Sequence, residues 1–332
     1  MEKALLIPYL KCYTVLSAMK IKSLKFVILI ASAALLIMPV IIFFARAPVL
    51  IVAEQSFIAL YGPERLRAET FRSMFALFRR VKTITAAQDA GDDIIRFAVQ
   101  DVSKRPYCVI FPFRFARSAV IYHEYNPDIR LIILEGRHKI DSNLSESMQN
   151  DRFFIYKTDI EYEFHKAGYA ASDLTGNETK TIIFFIDRVL DSINGTQIRN
   201  SFYYGVSEYN KTYFPSSEMS EFVFFWTISQ YNDYNALGYI EISCVVMAGS
   251  GSEYFEKAEN VPVILFSWLN PSYAPAGTAI VIDDSIWTQA VRAVKMADSG
   301  EKEGSIKSVF HILDSGKFNK EQLRYIGNLQ QN

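Results

Sequence analysis

Val49-Leu50-Ile51-Val52-Ala53, Val81-Lys82-Thr83-Ile84-Thr85, Tyr107-Cys108-Val109-Ile110-Phe111 and Ile129-Arg130-Leu131-Ile132-Ile133-Leu134 are four short apolar runs inside the stretch Val49 to Glu135. Between them the apolar spacing becomes helical. Phe71, Met74, Phe75 and Phe78 share one face of a first helix, and Ile94, Ile95, Ala98 and Val102 share one face of a second. Strands apolar on both faces, alternating with helices, predict a parallel sheet covered on each side. Such sheets receive ligands outside the carboxyl ends of their strands.

Beyond this stretch, residues 136–152 turn polar and lose periodicity, as a lobe boundary or a long surface loop would. A second alternating series follows. Phe153 to Tyr156 reads as strand, Ile160 to Ala171 as helix and Thr181 to Ile186 as strand; Asn194-Gly195 marks a turn, with a helix over Thr196 to Glu208. Further strands are expected at Glu221 to Thr227, Ile242 to Met247, Val261 to Phe266 and Gly277 to Ile282, and a helix at Ser285 to Ala297. Two such units in one chain predict a two-lobed α/β protein whose largest cleft lies between the lobes.

Composition narrows the function. The 332 residues are 50% apolar, enough for one large core or two moderate ones, and most of the 25 Phe and 19 Tyr are expected to fill them. Basic and acidic residues balance at 35 and 36 with no basic stripe, which sets nucleic acid aside as a partner. Of three cysteines, Cys108 and Cys244 sit in apolar strands of different halves, a pattern of buried free thiols rather than of a disulfide framework. The chain has no Gly-x-Ser-x-Gly elbow, phosphate loop, Gly-x-Gly-x-x-Gly or His-Glu-x-x-His. Its four histidines lack ligand spacing, so no metal site and no cofactor are expected.

Phe26 to Ala45 is a run of 20 uncharged, mostly apolar residues, the length of a bilayer's hydrocarbon core. Lys3, Lys11, Lys20, Lys22 and Lys25 precede it and only Arg46 follows closely, which puts the amino terminus in the cytoplasm and the remainder outside. Ala45-Arg46-Ala47 also fits a signal-peptidase pattern, but Pro48 would follow that cut and the run exceeds a usual signal core, which favours an uncleaved anchor. Met19-Lys20-Ile21-Lys22 reads as an alternative start, leaving residues 1–18 untranslated.

From Val49 onward the order of elements resembles a type I periplasmic solute-binding protein, most nearly the basic-membrane-protein or nucleoside-binding (ABC transporter substrate-binding) group. The end of Ile51-Val52-Ala53-Glu54-Gln55-Ser56-Phe57 is similar to that family's acidic-x-Ser-Phe ligand loop. His165-Lys166-Ala167-Gly168-Tyr169-Ala170-Ala171 resembles its Gly-Tyr-x-Ala helix, and Gly277 to Ala297 its returning strand and helix. The family's aspartate in the first loop is Glu54 here, and its asparagine after the Phe is Ile58. The resemblance implies two doubly wound parallel sheets with three crossings between lobes. The expected organisation is then a cytoplasmic lead at 1–25, a transmembrane helix at 26–45, a first lobe of 48–152 plus about 275–302, and a second of 153–274 plus about 303–332. It further implies a bacterial, non-enzymatic binding protein anchored in the inner membrane with its globular part outside. That protein would close by hinge motion on a nucleoside- or sugar-like solute and hand it to an ABC-type permease or report it to a sensor partner. The departures at Glu54 and Ile58 keep open a ligand-free envelope scaffold on the same fold.

Residues just past the strand ends are the candidate site: Glu54, Gln55, Ser56, Phe57, Phe113, Arg114, Glu135 and Arg137 on the first lobe, then Asp187, Arg188, Trp226, Gln230, Ser250, Trp268 and Asn270, with Asp283 and Asp284 after the return strand. Aromatic rings such as Phe57, Phe113 and Trp226 suit stacking on a base or sugar face. Carboxylates accept from sugar hydroxyls, and Arg114 can fork onto a carboxylate or carbonyl. Each has a plainer role available. Glu54 can be a solvated loop charge, Arg114 a partner of Glu135, Trp226 a core residue, and Asp283 a helix cap before Ile286. A pair of carboxylates such as Glu54 and Asp283, facing across a cleft, would suit acid–base chemistry.

Overall fold

The computed structural model describes residues 37–87, 89–137, 151–175, 180–215, 221–227, 242–248, 261–266 and 277–313. Residues 37–47 with 78–80 form a small unit of their own, and the rest of the described chain forms a larger one. In the small unit residues 37–45 are helical and Ile37, Met38, Val40, Ile41 and Phe44 are exposed. Phe43 packs edge-on against Phe78 with ring centroids 5.8 Å apart, and the Arg46 guanidinium lies 5.2 Å above the Phe78 ring. Among the described residues no helix is long and apolar enough to cross a membrane. Of the expected span, residues 26–36 lie outside the described ones, as does the lead at 1–25.

The larger unit contains two six-stranded sheets. In chain order its elements are β1 (Val49–Glu54), α1 (Gln55–Tyr61), α2 (Pro63–Leu77), β2 (Val81–Ala86), α3 (Asp92–Val102), β3 (Cys108–Pro112), a 3-10 turn at Phe113–Phe115, α4 (Ala116–Tyr125), β4 (Arg130–Gly136), β5 (Phe153–Thr158), α5 (Ile160–Thr175), β6 (Lys180–Ile186), α6 (Arg188–Tyr213), β7 (Glu221–Thr227), β8 (Cys244–Ala248), β9 (Val263–Phe266), β10 (Thr278–Asp283), α7 (Ile286–Asp298), β11 (Glu303–Ile306) and β12 (Val309–Ile312).

The first sheet is ordered β11-β5-β4-β3-β1-β2 and every pairing in it is parallel. Its central strands β1, β3 and β4 are apolar on both faces for a visible reason. Val49 and Ile51 pack toward α1 and α7, whereas Leu50 and Val52 pack toward α3 and α4. The second sheet is ordered β12-β10-β9-β8-β6-β7, parallel except for the antiparallel edge strand β12 against β10. Helices α5 and α6 cover one of its faces, with Phe164, Phe184, Phe202 and Phe266 in the core between. These helices touch backbone to backbone. A Cβ on Gly168 would lie 2.1 Å from the Phe202 carbonyl oxygen, and one on Gly205 1.9 Å from that of His165.

Several expectations need correction. The second sheet is not wholly parallel: β12 enters it directly from β11 of the first sheet after two linking residues, with no crossover inside the second sheet, and runs antiparallel to β10 at the edge. Residues 153–158 belong to the first sheet, where β5 pairs with β4, while β10 belongs to the second. The polar stretch 136–152 therefore joins two neighbouring strands of one sheet and does not separate lobes. The turn expected at Asn194-Gly195 is absent, since α6 runs unbroken from Arg188 to Tyr213. The Asp191–Arg199 ion pair at 2.5 Å lies over Gly195, where a Cβ would come within 2.3 Å of Asp191, so packing overrides the local turn signal. Phe71 and Phe75 do not face the core. Helix α2 buries Glu69 and Ser73 with Leu66, Met74 and Leu77 beside them, and turns both rings outward. Cys108 and Cys244 are buried free thiols, in different sheets.

Candidate functional site

The chain passes between the sheets three times: from β5 to α5, from β10 to α7, and from β11 to β12. A buried polar cluster joins these passages. Arg137 follows β4, and its Nη2 donates to Glu163 Oε2 at 2.8 Å and Asp284 Oδ2 at 2.7 Å, while Nε donates to the same Glu163 oxygen at 3.1 Å. Glu163 lies in the first turn of α5, Asp284 in the β10–α7 passage, and Ser308, in the β11–β12 passage, donates to Glu163 Oε1. Gln289 Nε2 donates to Thr158 Oγ1 at 3.2 Å and to the Asp284 carbonyl at 3.0 Å. Asp159 N–H donates to the Ile306 carbonyl at 2.9 Å, and Asn194 Nδ2 to that of Arg137 at 2.5 Å.

The charges in this cluster are wholly buried. Burial works against the charge on Arg137, but Glu163 and Asp284 outweigh it and hold the guanidinium protonated more firmly than usual. Burial, with the Asp284 charge beside it, outweighs Arg137 and Ser308 and lifts the Glu163 carboxyl to about 7. The Phe164 and Phe266 rings lie 5.8 and 5.3 Å from the guanidinium carbon. Sequence reasoning placed Arg137 and Asp284 near strand ends but missed Glu163. Its signal was a carboxylate on the apolar side of α5, in register with Ile160, Phe164 and Ala167.

The expected site residues fall into two groups. At the carboxyl ends of β1, β3 and β4 the structure brings polar groups to the surface of the first lobe. Arg114 Nη1 meets Glu54 Oε2 at 3.1 Å, and the Arg114 side chain is still 55% exposed. Ser56 Oγ donates to Glu54 Oε1, Gln55 is exposed, and Phe113 and Glu135 are half-buried. Arg114 therefore has Glu54 as an ion-pair partner.

The remaining candidates are held by packing. Phe57 stacks on Tyr61 at 5.4 Å and approaches Trp287 at 6.4 Å over the first-lobe core. Trp226 packs edge-on against Phe185 at 6.2 Å on the second sheet. Asp187 accepts weakly from the Leu190 N–H at 3.4 Å at the start of α6. Asp283 is buried and accepts from Ser285 N–H at 3.1 Å and Thr288 Oγ1 at 2.8 Å, with His311 Nε2 at 3.5 Å. Burial alone would raise this carboxyl, but its bonds from His311, Thr288 and Ser285 hold it well below the usual carboxylate range. The cap of α7 is Ser285, accepting from Thr288 N–H, and Asp283 braces that cap. Gln230, Ser250, Trp268 and Asn270 lie outside the described residues. Among the described residues no group of three or more His, Cys, Asp or Glu is placed to hold a metal ion.

Two six-stranded, helix-covered sheets, with the chain passing between them three times and polar groups at the strand tips, define a periplasmic-binding-protein-like α/β fold. Solved structures share it at low identity. An ABC transporter system solute-binding protein from Conexibacter woesei DSM 14684 matches with a TM-score of 0.62 at 13% identity, over 86% of this chain and 95% of that one. A transcriptional activator of the comK gene from Bacillus halodurans matches at 0.55 and 13%, over 85% and 95%. An ABC transporter periplasmic solute-binding protein from Actinobacillus succinogenes 130z with bound D-allose matches at 0.53 and 13%, over 82% and 99%. At these identities the likeness is one of fold. No protein-family model matches the sequence, and no curated protein matches it.

Proposed function

We propose that this chain is a membrane-anchored, extracytoplasmic binding protein for a small polar solute, sugar- or nucleoside-like, with Phe26 to Ala45 as its tether in a bacterial inner membrane. The observation that carries the reading is the grouping of Glu54, Gln55, Ser56, Arg114 and Glu135 at the carboxyl ends of neighbouring parallel strands of one sheet. That is the edge where open α/β sheets hold ligands. The three short passages between the sheets are where hinge closure would act, and the reading includes no catalytic step. Relatives in fold that are described as ABC transporter solute-binding proteins, one holding D-allose, support a solute as the cargo and a permease as the recipient. The likeness to a transcriptional activator supports reporting to a partner as the other use of the bound state.

Calorimetric titration of the detergent-solubilised full chain against a panel of sugars and nucleosides tests this. Saturable binding that Arg114→Ala weakens at least tenfold is the expected result. A second reading, a scaffold that has lost its ligand, is favoured by the Glu54–Arg114 pair, which engages both charges with each other. A folded chain that binds nothing in the panel removes the solute and leaves the scaffold.

A further inference from the structure

Helix α2 presents an unusual outer face. Phe71 and Phe75 are 61% and 69% exposed, and their rings pack edge-on 4.6 Å apart in the open. Arg67 and Arg72 are exposed on the same helix. The Arg72 side chain is 63% exposed even while its Nη1 reaches Glu69 at 3.1 Å. Apolar rings bordered by cations on a helix surface suit a lipid headgroup boundary better than bulk water.

The position of α2 in the fold selects the occupant. Leu77 ends the helix four residues before Val81, and Val81 pairs with Val49 at the amino end of β1. The apolar run Phe26 to Ala45 is covalently joined to that same end, with only Arg46, Ala47 and Pro48 between. A tether leaving from there carries a bilayer surface with it.

We propose that the outer face of α2 rests on the membrane, with Phe71 and Phe75 in the boundary between headgroups and acyl chains and Arg67 and Arg72 among anionic headgroup phosphates. This rests on the tether of the proposed function. The contact would fix the orientation of the first sheet to the membrane instead of leaving it to swing on its tether.

The test places an environment-sensitive fluorophore at Ala68→Cys, exposed on the same face, and for comparison at Tyr204→Cys, exposed on α6. The background is Cys12→Ser, since Cys108 and Cys244 are buried. The full chain is reconstituted into anionic vesicles containing a lipid-borne quencher. The expected result is several-fold stronger quenching at residue 68 than at residue 204. Phe71→Glu with Phe75→Glu should abolish the excess while the chain stays on carbonate-washed vesicles. Equal quenching at both positions on a retained chain overturns the α2 contact and leaves the tether standing. A chain removed by carbonate overturns both. Energy transfer between labels at residue 68 of different copies, without lipid quenching, assigns the face to a second copy and overturns the membrane contact. Quenching unchanged in purely zwitterionic vesicles overturns the phosphate half of the proposal.

Discussion

Replacing Arg137 by Met tests the buried cluster most directly. Met supplies an unbranched apolar stem but no guanidinium, so Glu163 and Asp284 remain wholly buried without their common cation. Two opposite charges about 4 Å apart at an effective dielectric near 20 attract by about 4 kcal/mol. Uptake of a proton by Glu163, whose carboxyl is already lifted by burial, relieves part of that loss. The net cost should be about 3–5 kcal/mol, the range for removing one partner of a buried ion pair. Glu163→Gln is the informative contrast. It retains an acceptor for Arg137, leaves the 2.7 Å Arg137–Asp284 pair intact and removes the excess negative charge. Its pH dependence has a definite sign. A carboxyl whose folded value is raised keeps a proton in the folded state that the unfolded chain releases. Its contribution to stability is complete below about 4.5 and is lost as pH rises through about 7. At about 1.4 kcal/mol per pH unit the window spans at most about 3 kcal/mol. Glu163→Gln removes that slope, so it should gain on the wild type as pH rises from about 4.5 to 7 and hold a constant difference above. Urea unfolding of the full chain in mild detergent at a series of pH values, followed by near-UV circular dichroism, reads both effects. An Arg137→Met chain within about 1 kcal/mol of wild type, or a Glu163→Gln difference that ignores pH, refutes the reasoning.

Three further outcomes follow from contacts described above. Gly205→Ala should cost about 3 kcal/mol or more in the same unfolding assay, because its Cβ meets the backbone oxygen of His165 at 1.9 Å and α5 must part from α6. Gly168→Ala should behave alike, and neither should change the far-UV helical signal of the folded state. Asp283→Asn should cost about 1–3 kcal/mol near neutral pH, because the carboxylate accepts from Ser285 and Thr288. Its folded value is depressed, so that stability exists above the ordinary carboxylate value and vanishes as pH falls through the folded one; the deficit of the variant should close in acid. Trp287→Phe should cost about 2–3 kcal/mol, since it opens space beside Tyr61, 5.0 Å from the Trp287 ring, and leaves Thr83 without the indole N–H.

The strands were legible because runs such as Val49 to Ala53 and Leu131 to Leu134 are apolar at every position, as a strand buried on both faces requires. What failed needed knowledge of distant partners. On α2 the period grouped Phe71 with Phe75, but it cannot say which side meets the sheet, and the buried side holds Glu69 and Ser73. The polar stretch 136–152 reads from composition as either a lobe boundary or a long surface loop, and strand pairing, not composition, decides which sheet receives β5. Strands β11 and β12 have four residues each, below the length at which alternation is readable. Glu163 was readable as a misplaced charge on α5. Its partner Arg137 lies 26 residues away, and Asp284 is 147 residues beyond Arg137, so no local pattern joins the three.

The two arginines at the strand ends differ in what a ligand could ask of them. Arg137 is wholly buried and held by two carboxylates, so turning it toward a solute would expose or strand both at a cost of several kcal/mol. Few small polar ligands recover that from one hydrogen-bonded contact. Arg114 is 55% exposed and holds Glu54 across 3.1 Å, a pair of the kind worth under about 1 kcal/mol. A solute with a hydroxyl or carbonyl beside a hydrogen-bond donor can replace that pair at little cost, taking Glu54 as acceptor and Arg114 as donor. If the chain binds a solute as proposed, this arithmetic assigns recognition to Glu54 and Arg114, while Arg137, Glu163 and Asp284 tie together the passages between the sheets. Variants should divide accordingly: Arg114→Ala should change affinity and leave unfolding within about 1 kcal/mol, whereas Arg137→Met should lower stability first and affinity only through it. A loss of binding in Arg137→Met with unfolding unchanged would reverse the two assignments.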